Sequence, residues 1–476
     1  MNQQTDRLSS AQLTVRILKR LQDPDQSLRL AMAKTRKSYE PRNTRLWGEV
    51  HAWVMEINKH QITIDHIEKL LLEDHVKIKG TIKPFIDLAT YWWFWGRRKI
   101  VKVNLATERL FREEKQRQPR WLEQYLKKLG TMTLVDYLKR IPEKDERWAI
   151  QYSLPVLLYR NLQQLFNHGD LVALGEWFNK PALKYFWINK LQAAPEEILE
   201  KLSKKMQIKP VSSVPGSYLL KKGRPLQYSG VYNQGKVLLQ DVAATAVTQL
   251  LPLVPGQLVL DTCAAPGNKT IQLLAREPKI NLVAGDLPGS RYSLLIQRLC
   301  FLAGDNRQIP ANNEAFTINV PREGATIHVK AWDARSLPYP NFSVDSAFID
   351  APCTGTGTLG TKPDLRKSIS SDFVKYHLQL QKAILLEAKR VVKPGGRILY
   401  VTCSLLPEEN EEMVKWFLNK ETGEKWQVEP LYHSLAEKSP LLEGSLRFFP
   451  PRSQSEGFFA CLLKRGVKNE RLVFSY

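Results

Sequence analysis

Through the first 125 residues apolar side chains recur every three to four positions, as in Ala11–Leu21, Ile62–Leu72 and Phe85–Trp95, and glycine is scarce. That period predicts amphipathic helices packed as a bundle. Residues 150–225 begin in the same way and pass through a further helical stretch from Pro195 to Lys205. From about residue 230 the pattern changes. Short apolar runs, each of strand length, occupy Leu258–Asp261, Ile280–Asp286, Thr326–Asp333, Val344–Asp350, Arg397–Cys403 and Phe458–Leu463, with helical stretches such as Thr270–Ala275 and Phe373–Val392 between them. This alternation predicts an open, mostly parallel sheet with helices on both faces. The expected architecture is an all-α domain over 1–145, a small α+β connecting domain over 146–228 and a Rossmann-like α/β domain over 229–468.

Composition narrows the function classes. Apolar residues are 43% and charged residues 25%, as in a globular protein. No apolar run reaches membrane-spanning length, and the amino terminus lacks the apolar core of a signal peptide, so a cytoplasmic protein, expected to be a monomer, is predicted. The five cysteines are scattered and odd in number, and the histidines do not cluster with them, so no disulfide framework, zinc site or iron–sulfur cluster is expected. The net charge is +22 and uneven: residues 1–250 hold 42 Lys and Arg against 25 acids, and residues 201–240 hold eight cations and no acid. Such a run suits a polyanion, and a groove for phosphates is expected there. Tyr91-Trp-Trp-Phe-Trp-Gly-Arg-Arg-Lys could stack on nucleic acid, but tryptophans in a helical stretch are expected in the core.

Open α/β sheets bind ligands beyond the carboxyl ends of their strands, so the residues closing the strands are the ones to inspect. Here they are Asp261, Asp286, Asp333, Asp350 and Cys403. The first strand runs into Asp261-Thr-Cys-Ala-Ala-Pro-Gly-Asn-Lys-Thr, which lacks the glycine spacing of a dinucleotide fingerprint or a P-loop. Asp286 is placed to accept ribose hydroxyls and Asp333 an adenine amino group, which together describe a nucleoside cofactor without phosphates. Two thiols, Cys353 in Asp350-Ala-Pro-Cys-Thr-Gly-Thr-Gly and Cys403 in Thr402-Cys-Ser, emerge at the same edge in loop-forming surroundings. Cys300, Cys461 and Cys263 are expected to be buried as small hydrophobes. Spacing alone does not say which of the two edge thiols attacks a substrate.

These segments resemble the signature motifs of the Sun-type RNA cytosine-5 methyltransferases, together with Thr402-Cys-Ser-Leu-Leu-Pro-Glu-Glu-Asn-Glu, Gly235-Lys-Val-Leu-Leu-Gln-Asp, Phe448-Phe-Pro and Glu456-Gly-Phe-Phe. The resemblance covers about 150–465. It implies S-adenosyl-L-methionine (SAM) as cofactor, an RNA substrate, Cys403 as nucleophile and Cys353 as the thiol assisting product release. In that chemistry a thiolate adds to cytosine carbon 6 and makes carbon 5 nucleophilic. Asp350 would hold the base edge, and Lys269 would favour the thiolate. Cofactor contacts are then expected from Cys263, Ala264, Ala265, Pro266, Gly267, Asn268, Lys269, Asp286, Arg291, Asp333 and Asp350. The amino-terminal helices, through Arg42-Asn-Thr-Arg-Leu-Trp-Gly-Glu-Val and the run after Phe85, resemble the NusB-like RNA-binding domain of the family's bacterial 16S ribosomal RNA member. Ribosomal RNA is therefore the expected partner. Three departures stand out: Asn268 for a usual glycine, Pro451 for a common histidine, and an insertion over 304–325.

Overall fold

The helical periodicity of the amino-terminal part becomes eleven helices, from Ser10–Arg20 to His168–Asn179, among the residues that the computed structural model describes: 8–23, 26–39, 43–72, 76–307, 315–420 and 425–467. Arg42 and residues 308–314 of the expected insertion lie outside them. The first helix starts with a reciprocal cap. Ser9 Oγ accepts from the Gln12 amide at 3.3 Å and Gln12 Oε1 from the Ser9 amide at 2.9 Å, which satisfies two donors the helix itself leaves open. Val15, Leu18, Ile64, Ile67, Phe85, Leu88 and Phe111 form the core. Tyr91 and Trp92 are buried in it and Trp93–Trp95 pack against it, with Trp93 Nε1 donating to the Met132 carbonyl. The aromatic cluster is core, as its helical setting suggested.

The chain divides into two units. The first, whose regular elements among the described residues are all helices, comprises Met1–Gln163, His168–Lys180 and Leu359–Ser370. The second comprises Gln164–Asn167, Pro181–Thr358 and Ser371–Tyr476. Leu359–Ser370 thus belongs to the helical unit although it follows the Asp350–Gly357 motif in sequence. Its Arg366 is fully buried and donates to the carbonyls of Lys59, Phe178, Tyr152, Ser153 and Leu359 and to Asn179 Oδ1.

The second unit contains two sheets. Strands β1 (Tyr185–Ile188), β2 (Met206–Pro210), β3 (Ser217–Gly223) and β4 (Val237–Leu239) form a small sheet in the order β2-β3-β1-β4. The large sheet holds β5 (Leu258–Asp261), β6 (Asn281–Asp286), β7 (Ala315–Val320), β8 (Ala325–Ala331), β9 (Val344–Asp350), β10 (Val392–Thr402), β11 (Trp426–Glu429), β12 (Glu437–Lys438), β13 (Leu446–Phe448) and β14 (Phe458–Arg465). Its order is β12-β13-β14-β10-β9-β5-β6-β8-β7, with β11 also on β14. The five central strands are parallel. Both their faces are covered, which is why they read as continuous apolar runs. Val259, Leu282, Phe348, Leu399 and Val401 pack on one face; Leu260, Val283, Ile349, Ile398 and Tyr400 pack on the other.

One expectation needs correcting. The strand expected to close on Asp333 ends at Ala331, because Trp332 turns inward, donates from Nε1 to the Thr262 carbonyl at 3.0 Å and fills the space over Gly285. The expected insertion adds a strand. β7 pairs antiparallel with β8 at the sheet edge, and Asp305 ties it back to the preceding helix by accepting from Arg307 and from the Asn319 amide.

Candidate active site at the carboxyl edge of the parallel strands

Successive parallel strands run outward in both directions from β5, with β6 and β8 on one side and β9 and β10 on the other. The crevice at such a reversal is where open α/β sheets bind ligands. The loops after β5 and β9 flank it. Lys269 Nζ, at the start of helix Asn268–Arg276, reaches across to Asp350 Oδ2 at 2.6 Å and lies 5.3 Å above the Phe458 ring. Burial disfavours the Lys269 ammonium, but Asp350 and, less strongly, Cys403 outweigh it and raise its pKa. The lysine is therefore held charged beside both groups.

Cys353 and Cys403 are reduced thiols with sulfurs 3.3 Å apart, and both are partly exposed. The thiol of Cys353 is pushed up by its bond to Cys403 first, and by burial second. Three loops hold this pair by backbone bonds. Gly357 N–H donates to the Cys403 carbonyl, and Gly457 N–H donates to the Gly357 carbonyl, each at 2.9 Å. A side-chain carbon on Gly357 would lie 2.2 Å from the Gly457 oxygen, so glycine is required there. Beneath the thiols, buried Glu409 accepts from the Thr354 amide, the Thr354 hydroxyl and Gln381, while Asn410 ties the Thr402 hydroxyl to the Ser404 carbonyl. Sequence reasoning did not single out Thr354, Gln381, Glu409 or Asn410. The available signal was the polar run Pro407-Glu-Glu-Asn-Glu directly after a buried strand, where unpaired polar groups would be costly.

On the other side of the crevice Asp286, buried at the end of β6, accepts from the amides of Ala265 and Leu287 and from Nε and Nη2 of Arg291, at 2.6 and 2.9 Å. Ala264 donates to the Gly285 carbonyl, and Gly267, at φ +103°, closes the turn against Leu299. The Ala265–Pro266 peptide is cis. Asn268 begins the helix and accepts from Arg298. Cys263 is buried and its thiol pKa raised by burial, whereas Asp333 lies beyond β8, partly exposed and paired with Arg335. Burial pushes the Asp261 carboxyl up to about 7; Oδ2 accepts from Thr270, and Oδ1 is buried without a partner among the described residues. The donor set fits a nucleoside cofactor, with carboxylates for its hydroxyls and backbone close by. The structure thus brings together Asp350, Lys269, Cys353 and Cys403, and separately Asp286, Arg291 and the 263–268 turn. Asp333 follows Trp332, whose amide donates to the Asp286 carbonyl at 3.1 Å, and its carboxylate is engaged by Arg335 and not by a member of either group. Pro451 sits in the first turn of helix Pro450–Ser453, where proline is tolerated.

The family model described as 16S rRNA methyltransferase RsmB/F matches residues 248–464. A probable ribosomal RNA small subunit methyltransferase B of Synechocystis sp. is 30% identical over 66% of this chain and 67% of its own length. A tRNA (cytosine(49)-C(5))-methyltransferase of Pyrococcus abyssi is 28% identical, over 60% of this chain and 89% of its own. The solved structure of PH0851 shares the fold at TM-score 0.73 and 24% identity, covering 96% of this chain and 99% of that one. Fold, edge chemistry and relatives together define a SAM-dependent methyltransferase. The chain belongs to the 16S rRNA methyltransferase RsmB/F family.

Proposed function

We propose that this protein methylates carbon 5 of a cytosine in ribosomal RNA, with Cys403 as nucleophile. The observation that carries the reading is the group at the switch point, where two thiols 3.3 Å apart meet a lysine–carboxylate pair. The Cys403 thiolate adds to carbon 6 of the base while Lys269 stabilises its charge. Asp350, freed from Lys269 or sharing a proton with it, bonds the N3/N4 edge and stabilises charge developing in the ring. Bound SAM supplies an electrophilic methyl group to the carbon 5 so activated. Loss of the carbon 5 proton to a base then expels the Cys403 sulfur as a thiolate, and Cys353, which its hydrogen bond to Cys403 and burial keep in the thiol form, assists the release by hydrogen-bonding to the departing sulfur. Asp286, Arg291 and the Cys263–Asn268 turn hold the cofactor, with ribose hydroxyls displacing the half-exposed Arg291 from Asp286. The more exposed Asp333 lines the adenine side.

The helical unit is read as the NusB-like RNA-binding part, supported by its bundle of helices and by the positive excess over 1–150, 30 Lys and Arg against 19 acids. Its likeness to NusB-like domains rests on sequence pattern. RNA is favoured over DNA because the curated relatives named above act by name on ribosomal or transfer RNA.

The test is methylation by the purified protein of 16S ribosomal RNA, tRNA and DNA of matched sequence, with the product nucleosides separated after digestion. The expected product is 5-methylcytidine, from ribosomal RNA first. Cys353→Ala should accumulate an RNA adduct that survives denaturing electrophoresis, and Cys403→Ala should form none. An adduct persisting in the Cys403 variant overturns the assignment of the two sulfurs, and preferential DNA methylation overturns the substrate.

A further inference from the structure

Outside the crevice, one strongly basic surface is not used by the proposed reaction. In the second unit, the end of helix Pro195–Ser203 and the loop after β3 enclose a cavity of about 400 Å³, whose lining includes Lys205, Arg224, Tyr228, Ser229, Gly230 and Gln234 and no acid. Lys205 and Arg224 are exposed and form no salt bridge among the described residues, although Lys201 at the rim is paired with Glu197 at 2.6 Å. Tyr228 is 41% exposed, with the Arg224 guanidinium 5.5 Å from its centroid. A side-chain carbon added at Gly230 would meet nothing within 4 Å, so the mouth is open there.

A simple structural reason covers part of this surface. β2 is a sheet edge, and exposed Lys209 on it deters strand addition. That reason does not reach Tyr228 or Arg224, which lie in the loop. Cations facing a ring without a carboxylate to balance them recognise an anion that also carries a flat face, the chemistry of a nucleotide. The volume lies at the small end of ligand pockets and admits one nucleotide. A base within a duplex is already stacked and cannot enter. Taking the substrate to be RNA, as in the reading above, we propose that this cavity holds one unpaired nucleotide of the strand, its base on Tyr228 and its phosphate between Lys205 and Arg224.

The experiment uses the full chain and a fluorescein-labelled single-stranded decamer of uridine, which contains no cytosine to methylate. Affinity is read by anisotropy over a salt series. Tyr228→Ala should weaken binding about fivefold or more, whereas Tyr228→Phe should bind as the parent does. The double change Lys205→Ala/Arg224→Ala should reduce the slope of log affinity against log salt by about 0.7 for each phosphate that is no longer neutralised. Substituting 4-thiouridine should give a photocrosslink to the peptide carrying Tyr228, and the corresponding duplex should crosslink less. Unchanged affinity and an unchanged crosslink pattern in Tyr228→Ala, or equal occupancy by the duplex, would overturn the inference. Because the probe is not a methyl acceptor, failure of the parent to methylate any RNA would refute the proposed function and leave this result readable by itself.

Discussion

In the helical unit Arg366 has no solvent exposure to speak of and six acceptors, nearly all backbone carbonyls, whereas at the sheet edge of the other unit Lys269 and Asp350 form a pair left 16% and 29% exposed. Burial pulls the Arg366 pKa down to about 9, against the pull of Glu56, so the guanidinium still carries its charge at neutral pH. Lys83 in the same unit is 24% exposed but is matched by three internal carboxylates, Asp65, Glu68 and Asp87. Both cations are saturated from within. The Lys269–Asp350 pair and the Arg291–Asp286 pair keep an open side, and a ligand's hydroxyls or base edge can replace one member. Identical residue types thus divide into scaffold and chemistry according to whether their partners are all internal.

The contrast is widest at Arg366. Arg366→Met keeps much of the volume and strands several buried carbonyls, each of which costs about 1–3 kcal/mol when left without a donor. We expect the helical unit to lose about 3 kcal/mol or more, read as a lowered melting temperature and faster amide exchange in helices Lys144–Tyr152 and His168–Asn179. An unchanged melt would mean those carbonyls find water, and Arg366 would not be scaffold. Next in size, Asp350→Asn should leave the fold intact and slow single-turnover methyl transfer about 10²–10³-fold, the usual effect of losing one preorganised electrostatic partner. A loss below about tenfold would move the Lys269–Asp350 pair to the scaffold side. Smaller again, Asp286→Asn should raise the SAM dissociation constant about tenfold by calorimetry, since bonds to an ionised group contribute about 1.5–3 kcal/mol.

Much of the second unit was legible because parallel strands buried on two faces must be apolar throughout. β5 and β9 have the expected bounds, and helix Asn268–Arg276 begins directly after the glycine turn. The motif cysteines could be assigned to the edge because proline, glycine and serine around them exclude a strand interior. Other features depend on tertiary packing that no local pattern encodes. Trp332 ends β8 early by docking over Gly285, a residue on the neighbouring strand that local periodicity does not connect to it. The small sheet joins β1 and β4, which are far apart in sequence, through short runs that local periodicity does not separate from loops. Arg366 reads as an ordinary surface arginine in Asp364-Leu-Arg-Lys, and only its membership of the helical unit gives it acceptors.

The finest test concerns Asp261, which stands between the two kinds of group: buried like Arg366, yet at the crevice like Asp350. Its carboxyl ionises near 7 in the fold, because burial opposes the charge and the Thr270 hydroxyl offsets only part of that, whereas in the unfolded chain it ionises near about 3.9. The protonated acid is therefore favoured by folding. Its stabilising contribution is complete below about pH 4, is lost as pH rises toward about 7, and changes no further above that, with a slope of at most about 1.4 kcal/mol per pH unit. Asp261→Asn cannot titrate and still offers an oxygen to Thr270. Subtracting its urea-unfolding free energy from that of the parent, without SAM, should leave a curve that falls between about pH 4 and 7 and is flat from about 7 to 8.5. A flat difference throughout would mean that Asp261 is ionised in the fold, with an internal partner for Oδ1, and would put it with the saturated groups of the scaffold.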